Sequence, residues 1–324
     1  MPKFLKSGTS TVFNRIEAAL NIIFRHLTIM LLLVGAAASL TTPVQAETLN
    51  VSLMMSDHTA PYQQFSAALG KALAANKSNI AITESNIGDS VKADLVIAVG
   101  IKATEIAITN IDAPVLSVMI PKAGYEVLLE KRAAQKSLKA LSAIYLDQPW
   151  DRQMNFIHAA LPRHSIVGML YSPNISIVLP RLPYGMSLNA KSVRSSEKLF
   201  GALESILESS DVLLVIPDNV IYSSSNVRNI LLASYRQKVP MVGISQAYVN
   251  AGALCAIFST PEQLAWQAAT TIVSFAANKR LPEPQYPVSF SIGINKQVSS
   301  SLGIELAPPE VIRQRMDQAG EGDR

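Results

Sequence analysis

Two short apolar runs with a helical pattern between them limit the folds that this chain can adopt. Residues 211–217 have the sequence DVLLVIP and residues 239–244 the sequence VPMVGI. Continuous runs of Val, Leu and Ile are typical of parallel strands that are buried on both faces. Between the runs, Val227, Ile230 and Leu231 recur at helical spacing. The segment therefore predicts a strand–helix–strand unit of a parallel sheet.

Polar side chains follow each of these two predicted strands. Asp218 and Asn219 come after the first, and Ser245 and Gln246 come after the second. Ligands of open α/β sheets bind outside the carboxyl ends of the strands, so we expect these side chains to contact a ligand. A structural role stays open as well, because Asp218 also fits an Asx turn and Ser245 a helix N-cap.

The same alternation of apolar run, polar loop and helical pattern continues along most of the chain, with one polar break at 147–149. This alternation predicts an α/β fold of two doubly wound parallel-sheet lobes. Before the break the predicted strands are 49–55, 80–83, 94–99, 114–120 and 141–146; after it they are 166–171, 186–193, 211–217, 239–244, 254–258 and the edge strand 287–294.

A second set of signals places the domain boundaries. Thr260, Pro261 and Gln263 have the types expected of a capping box with proline in the first turn, and they predict the start of a long helix. We expect the charged, glycine-containing end from Gln314 onward to be frayed. The predicted domains are a signal peptide (1–46), an N-terminal lobe (47–145 plus 259–283), a C-terminal lobe (146–258 plus 284–310) and a tail (311–324).

The first 46 residues have the pattern of an export signal. Arg25 and His26 precede the apolar run 27–40, and Val44 and Ala46 occupy the small-residue positions of a cleavage site. The run is shorter than the roughly 20 residues that span a bilayer. We therefore expect cleavage after Ala46 and a periplasmic protein, with an uncleaved signal anchor as the alternative.

Charge and cysteine content exclude several classes of function. Three of the four net positive charges lie in residues 1–46, so the remainder is nearly neutral and offers no electrostatic basis for binding nucleic acid. Cys255 is the single cysteine and lies in an apolar run, which predicts a buried, inert thiol and excludes disulfides. We expect no metal and no other cofactor, because no set of metal ligands and no phosphate-binding motif occurs.

One segment is similar to a catalytic motif. Residues 243–247 (GISQA) resemble the nucleophile elbow of α/β-hydrolases, apart from Ala at the last position. That fold requires its catalytic histidine after the serine. All four histidines precede Ser245: His26, His58, His158 and His164. The chain is therefore predicted not to be an enzyme.

Four segments give the chain a family resemblance from Ser142 onward. They are IPDNVIYSSSNVRNIL (216–231), VPMVGISQAYVNAGAL (239–254), STPEQLAWQAA (259–269) and INKQVSSSLGIEL (294–306). The chain resembles the substrate-binding proteins of ABC transporters, of the tryptophan/tyrosine-type periplasmic group. The resemblance implies a type I periplasmic-binding fold with a crossed hinge, a ligand enclosed between two lobes, and Asp218 and Asn219 in the cleft.

Together these observations predict the solute-binding component of an ABC-type importer, which binds a small polar ligand such as an amino acid. Its partners would be that solute and a membrane permease or a sensor protein, and we expect a monomer. The alternative is a ligand-sensing or scaffold module of an envelope signalling system. The predicted ligand-binding residues are Ser56, Gly100 and Thr104 from one lobe and Ser172, Asn174, Asp218, Asn219, Ser245 and Gln246 from the other.

Overall fold

The structure is a computed structural model, which describes residues 24–26, 28, 30, 48–76, 79–133, 139–173, 175, 182–194 and 198–321. The chain divides into two units, Met1–Glu47 and Thr48–Arg324. The predicted signal peptide lies outside the described residues except for five helical positions between Phe24 and Met30. Within the described ranges, no helix combines the length and the apolar character needed to cross a membrane.

The first half of the second unit forms a sheet of five parallel strands in the order β2-β1-β3-β4-β5. Three helices connect its strands. In chain order these elements are β1 (Leu49–Met55), α1 (Ala60–Ala75), β2 (Ile80–Ser85), β3 (Leu95–Val99), α2 (Ile101–Asn110), β4 (Val115–Ile120), α3 (Lys122–Ala133) and β5 (Leu141–Tyr145).

The second half forms a six-stranded sheet in the order β11-β10-β9-β8-β6-β7, in which only the edge strand β11 is antiparallel. In chain order the elements are α4 (Trp150–Ala160), β6 (Ile166–Tyr171), β7 (Ser187–Ser192), α5 (Leu199–Glu208), β8 (Val212–Leu214), α6 (Ser224–Arg236), β9 (Met241–Gly243), α7 (Gln246–Ala251), β10 (Cys255–Phe258), α8 (Pro261–Asn278), β11 (Ser291–Ile294), α9 (Lys296–Leu302) and α10 (Pro309–Glu321).

Apolar runs in the sequence become the central strands of both sheets. All five residues of β3 are buried, as are the three residues each of β8 and β9. Burying an aliphatic side chain of this size stabilises the fold by about 1.5–3 kcal/mol, so strands covered on both faces favour Val, Leu and Ile. The predicted fold class, two α/β lobes with mostly parallel sheets, is confirmed.

Helix α8 packs away from the strand that precedes it. It begins with a complete capping box, in which the Thr260 hydroxyl accepts the Gln263 N–H and the Gln263 side chain accepts the Thr260 N–H. Although α8 follows a strand of the second sheet, its residue Leu264 belongs to the same buried cluster as Phe65 of α1. This packing supports the proposed division, in which residues 259–283 belong to the N-terminal lobe.

The chain passes between the two sheets three times, and hydrogen bonds join the three crossings. The Gln148 side-chain amide donates to the Ser259 hydroxyl at 2.9 Å, and that hydroxyl donates to the Ser289 carbonyl at 2.6 Å. Gln285 exchanges backbone hydrogen bonds with β5, accepting from the Tyr145 N–H at 2.9 Å. The crossed connections have the arrangement of a hinge between two lobes.

The C-terminal end differs from its prediction. The frayed tail expected from Gln314 onward is instead part of α10, which runs to Glu321 and packs on α4. Ile312 and Met316, four residues apart on one helix face, are buried in the core of the second lobe. The prediction was wrong because it considered only the charged residues of this segment. Ile312 and Met316 are apolar, lie at helical spacing and are enough to hold the helix on the core.

Candidate functional site

A cavity of about 100 Å³ lies where the carboxyl ends of the strands of both sheets meet the hinge. Its walls are supplied by both lobes and by the crossings. Crevices at the carboxyl ends of strands are common ligand sites in α/β proteins. The residues used below are Lys122 and Glu126 of α3, Trp150 of α4, Ile216 after β8, and Asp147 and Tyr286 in the crossings.

Asp147 is the carboxylate at the junction between hinge and N-terminal lobe. Its Oδ2 accepts the backbone N–H of Lys122 at 2.6 Å, at the first residue of α3. The side chain is partly buried, and this burial raises the pKa of Asp147 to about 6, against the opposing effects of backbone hydrogen bonds and the Lys122 charge. Burial disfavours the charged form of the carboxyl, and these favourable interactions offset that effect only in part.

The two other charged residues of the cavity neutralise each other. The Lys122 ammonium pairs with the Glu126 carboxylate one helical turn further along α3. Side chains four residues apart on a helix lie side by side, which explains the pairing. The cavity therefore contains two carboxylates and one ammonium, and the ammonium is engaged.

The two glutamine amides of the cavity are used to build the hinge. Gln148 donates to Ser259, as described, and its Oε1 accepts from Arg152 at 2.7 Å. The Gln153 amide donates to the Gln148 carbonyl at 2.8 Å. Both side chains are at least nine-tenths buried. Their hydrogen bonds hold the segment around Asp147 in place.

Tyr286 lines the cavity and is one of three tyrosines packed in a row. The rings of Tyr145 and Tyr286 pack edge to face, with centroids 5.3 Å apart, and Tyr125 packs on Tyr145 in the same way at 6.0 Å. Burial raises the pKa of Tyr286 above its usual value, so its phenol stays neutral at physiological pH. Such edge-to-face pairs hold the Tyr286 ring in place at the cavity.

The three residues predicted in the N-terminal lobe lie together but outside this cavity. The Ser56 hydroxyl accepts the Ala103 N–H at 3.0 Å, and a Cβ on Gly100 would meet that hydroxyl at 2.6 Å. Thr104 is fully buried and donates to the Gly100 carbonyl at 2.8 Å. These contacts fix the turn from β3 into α2. Ser56 also borders a separate groove, beside Asp57 and other residues after β1 and β2.

In the C-terminal lobe, two predicted residues bond to each other. Asp218 is 4% exposed, and its Oδ2 accepts the Ser172 backbone N–H at 2.6 Å. Its Oδ1 accepts the N–H of Val220 at 2.9 Å, which closes an Asx turn. Asn219 is exposed, and Asn174 lies outside the described residues. The carboxylate of Asp218 thus organises the loops, while the cavity is lined by its neighbours Ile216 and Pro217.

Ser245 and Gln246 lie at the start of α7, apart from the cavity lining. The Ser245 hydroxyl accepts the Tyr248 N–H, so Ser245 is the N-cap, one of its two predicted roles. Gln246 is exposed and its amide donates to Asn250 at 2.9 Å. None of the predicted site residues that the structure describes lines the cavity, and their binding role stays a prediction.

The sequence contained signals for part of the actual lining. In the sequence, Asp147 belongs to the polar break 147–149 that follows a predicted strand, and Tyr286 lies between Pro284 and Pro287. Trp150 directly follows that break. In the structure it packs partly buried against the core of the second lobe and also lines the cavity.

Residues 63–313 match the sequence model of the ABC transporter substrate binding proteins. The chain belongs to this family. The match begins well upstream of Ser142, where the recognised motifs start, so the family relationship includes the N-terminal lobe. Members of the family are non-enzymatic binders of small ligands that work with an ABC permease and are typically periplasmic.

Solved structures agree in fold. A conserved domain protein from Vibrio cholerae superposes with a TM-score of 0.56 at 17% identity, covering 83% of this chain and 98% of its own. An ABC domain from Streptococcus pneumoniae in complex with L-Trp gives 0.56 at 16% identity, with the same coverage. A ligand-free, open substrate-binding protein with adhesive properties from Clostridium difficile gives 0.59 at 17%, covering 80% and 96%. No curated protein matches the chain.

Proposed function

We propose that this chain is the solute-binding component of an ABC-type importer, exported to the periplasm, and that it encloses a small polar ligand in the cavity beside the hinge. The main support for the proposal is that residues of both lobes and of a crossing line the same cavity. Lys122 and Glu126 come from one lobe, Trp150 and Ile216 from the other, and Asp147 from a crossing. A ligand in this position contacts both lobes at once.

The shared cavity supplies a mechanism for ligand-driven closure. A ligand that touches both lobes makes its full set of contacts only when the lobes are close together, so binding shifts the population toward the closed form. The three crossings are joined through Gln148, Ser259 and Ser289, and they supply the axis of that motion. A permease that recognises the closed form would then receive only loaded protein.

Loop geometry at the rim depends on Asp218. Its bond to Ser172 ties the loop after β8 to the loop after β6, and both loops approach the cavity through Ile216 and Ile175. We propose that Asp218 positions these loops and that the neighbouring exposed Asn219 offers its amide to the ligand or to the opposite lobe.

A thermal-shift screen of the purified protein against amino acids, amines, purines, sugars and short peptides tests the proposal. At a hundredfold excess over Kd, a ligand stabilises the folded state by about 2.7 kcal/mol. We expect hits within one chemical class, and we expect Trp150→Ala to weaken them. A control substitution at exposed Trp266 on α8, Trp266→Ala, should leave the hits in place. A broad panel without any hit would contradict the proposal and favour the sensing or scaffold module.

Export is tested separately by fractionation of cells that express the full sequence. The proposal predicts a processed form in the periplasmic fraction, with its first residue after Ala46. Protein that stays unprocessed in the membrane fraction would instead favour the signal anchor.

A further inference from the structure

We propose that the Asp147 carboxylate is the counter-ion for a cationic group of the ligand, and that the cavity therefore selects small primary amines with an apolar body over neutral or anionic solutes. This inference rests on the proposed function, because it assigns a chemical class to the ligand of the same cavity.

The charge inventory of the cavity is the first argument. Lys122 and Glu126 neutralise each other, which leaves Asp147 as the unbalanced charge. The donors to its carboxylate are the backbone N–H groups of Lys122 and of Asp147 itself. In the part of the chain that the structure describes, no cationic side chain lies within ion-pair distance of Asp147. The Lys122 charge that acts on Asp147 is thus shared with Glu126, and the three groups together give the cavity one net negative charge.

The burial of this carboxylate is the second argument. Buried charges in proteins are paired or hydrogen-bonded, because removing them from water without compensation is costly. Burial is the largest influence on Asp147 and disfavours its charged form. An ammonium group in the adjoining cavity would supply a partner for the charged form and offset part of the cost of its burial.

The remaining walls favour an apolar body attached to that cation. Trp150, Ile216 and Tyr286 present two aromatic rings and an aliphatic chain. Aromatic faces attract cations and apolar groups alike. An anionic solute would meet the excess carboxylate and be repelled.

Neutral polyols would find few partners in the same cavity. Sugar hydroxyls are bound through side-chain amides and charged groups, but the amides of Gln148 and Gln153 already bond within the hinge. Using either one for a ligand would break a contact that holds the crossings together. A ligand that needs these amides would therefore compete with the hinge for them, whereas an ammonium group needs only the Asp147 carboxylate.

Asp147 also has a structural role that the experiment must separate from binding. Its Oδ2 holds the first N–H of α3. Asp147→Asn keeps an oxygen acceptor for that N–H and removes only the charge. Asp151→Asn is the matched control, because Asp151 is an exposed aspartate in the first turn of α4 and does not line the cavity.

The experiment is isothermal titration of the purified protein at pH 7.5 with two matched series. The first contains butylamine, 1-butanol and butanoate; the second contains 2-phenylethylamine, 2-phenylethanol and phenylacetate. We expect the amine of at least one series to bind at least tenfold tighter than its alcohol and acid. Asp147→Asn should weaken that amine tenfold or more and change the alcohol less than twofold, while Asp151→Asn changes neither.

Each outcome is decisive. Equal or tighter binding of an alcohol or acid overturns the proposal, and so does amine binding that Asp147→Asn leaves unchanged. If neither series binds but the broad screen finds a sugar or an anionic ligand, the charge assignment is overturned while the solute-binding function stands. If neither series nor the broad screen gives a ligand, the proposed function itself fails.

Discussion

The Asp218 carboxylate accepts the backbone N–H of Ser172 at 2.6 Å across 46 residues of sequence. This bond ties together the loops that follow β6 and β8, two neighbouring strands of the second sheet. The second carboxylate oxygen holds the turn of its own loop through Val220 and Ile221. One buried side chain thus sets the backbone of the rim on which the C-terminal lobe meets the cavity.

Replacing Asp218 by alanine should destabilise the protein by about 2–4 kcal/mol. The substitution leaves the N–H groups of Ser172, Val220 and Ile221 without their acceptor in a mostly buried loop. Urea unfolding followed by circular dichroism measures the change. Asn219→Ala, at the exposed neighbouring position, should stay within about 0.5 kcal/mol. If Asp218→Ala lowered the free energy of unfolding by less than about 0.5 kcal/mol, the two loops would keep their structure without the carboxylate.

The C-terminal helix is held by a second specific contact, the stacking of Arg313 on Phe290. The guanidinium carbon lies 4.1 Å from the ring centroid, and Arg152 approaches the same ring at 5.0 Å. Arg313 also donates to the Phe290 carbonyl at 2.8 Å. The ring thereby connects α10 and α4 to the strand that leaves the hinge.

Arg313→Ala should cost about 1–2 kcal/mol, since it removes both the stacking and the hydrogen bond. A double-mutant cycle with Phe290→Leu isolates the ring, and we expect a coupling of about 0.5–1 kcal/mol from urea unfolding. Gln314→Ala, exposed on the next residue, serves as the control with little change. A coupling energy near zero would mean that Arg313 stabilises the protein only through its hydrogen bond to the Phe290 carbonyl.

The sheets could be predicted from sequence because their strands are identified by local composition. Runs such as 95–99 and 212–214 are apolar throughout, and only strands covered on both faces bury every residue. The capping box at Thr260 is equally local and was confirmed. Apolar runs and capping residues, which are patterns within about ten residues of sequence, were therefore sufficient to predict the helices, the strands and the fold class.

The cavity could not be predicted in the same way, because its chemistry depends on distant segments. The two roles considered for Asp218 could be separated only once Ser172, 46 residues away, was seen to donate to it. Asp147 and Tyr286 are distant in the sequence, and only the fold brings both of them to the cavity beside Lys122. The three crossings determine which loop side chains reach the cavity. No local sequence pattern predicts the arrangement of these crossings.

Gly100 provides a test of the turn that connects β3 to α2. Its φ of +85° lies in a region that side chains disfavour, and a Cβ would meet Ser56 Oγ and Tyr62 OH at 2.6 Å each. We expect Gly100→Ala to destabilise the protein by about 1–3 kcal/mol in urea unfolding.

Gly70 is the matched control for that substitution, because it lies within α1 and a Cβ there would meet no atom within 4 Å. Gly70→Ala should stabilise the protein by up to about 1 kcal/mol through its higher helix propensity. If both substitutions changed the free energy of unfolding equally, alanine would fit at position 100 without strain, and the argument from the φ of Gly100 would be wrong.

The raised pKa of Asp147 makes stability depend on pH. The folded carboxyl titrates at about 6 and the unfolded one near 3.8, so between these values the folded state retains a proton that the unfolded state has lost. The free energy of unfolding must then fall as pH rises from about 4 to 6, and this contribution is flat outside that window. The pKa difference corresponds to about 1–3 kcal/mol.

Asp147→Asn removes this contribution, so the variant should gain stability relative to the unmodified protein by about 1–3 kcal/mol as pH rises from 4 to 6. Urea unfolding at half-unit pH intervals measures the difference, and subtracting the two profiles isolates the contribution of Asp147. Asp151→Asn, which removes an exposed carboxylate outside the cavity, is measured in the same way as the control for the loss of a carboxylate. A parallel pair of profiles for Asp147→Asn would show that the carboxyl is solvated, and the burial argument for a cationic ligand would lose its support.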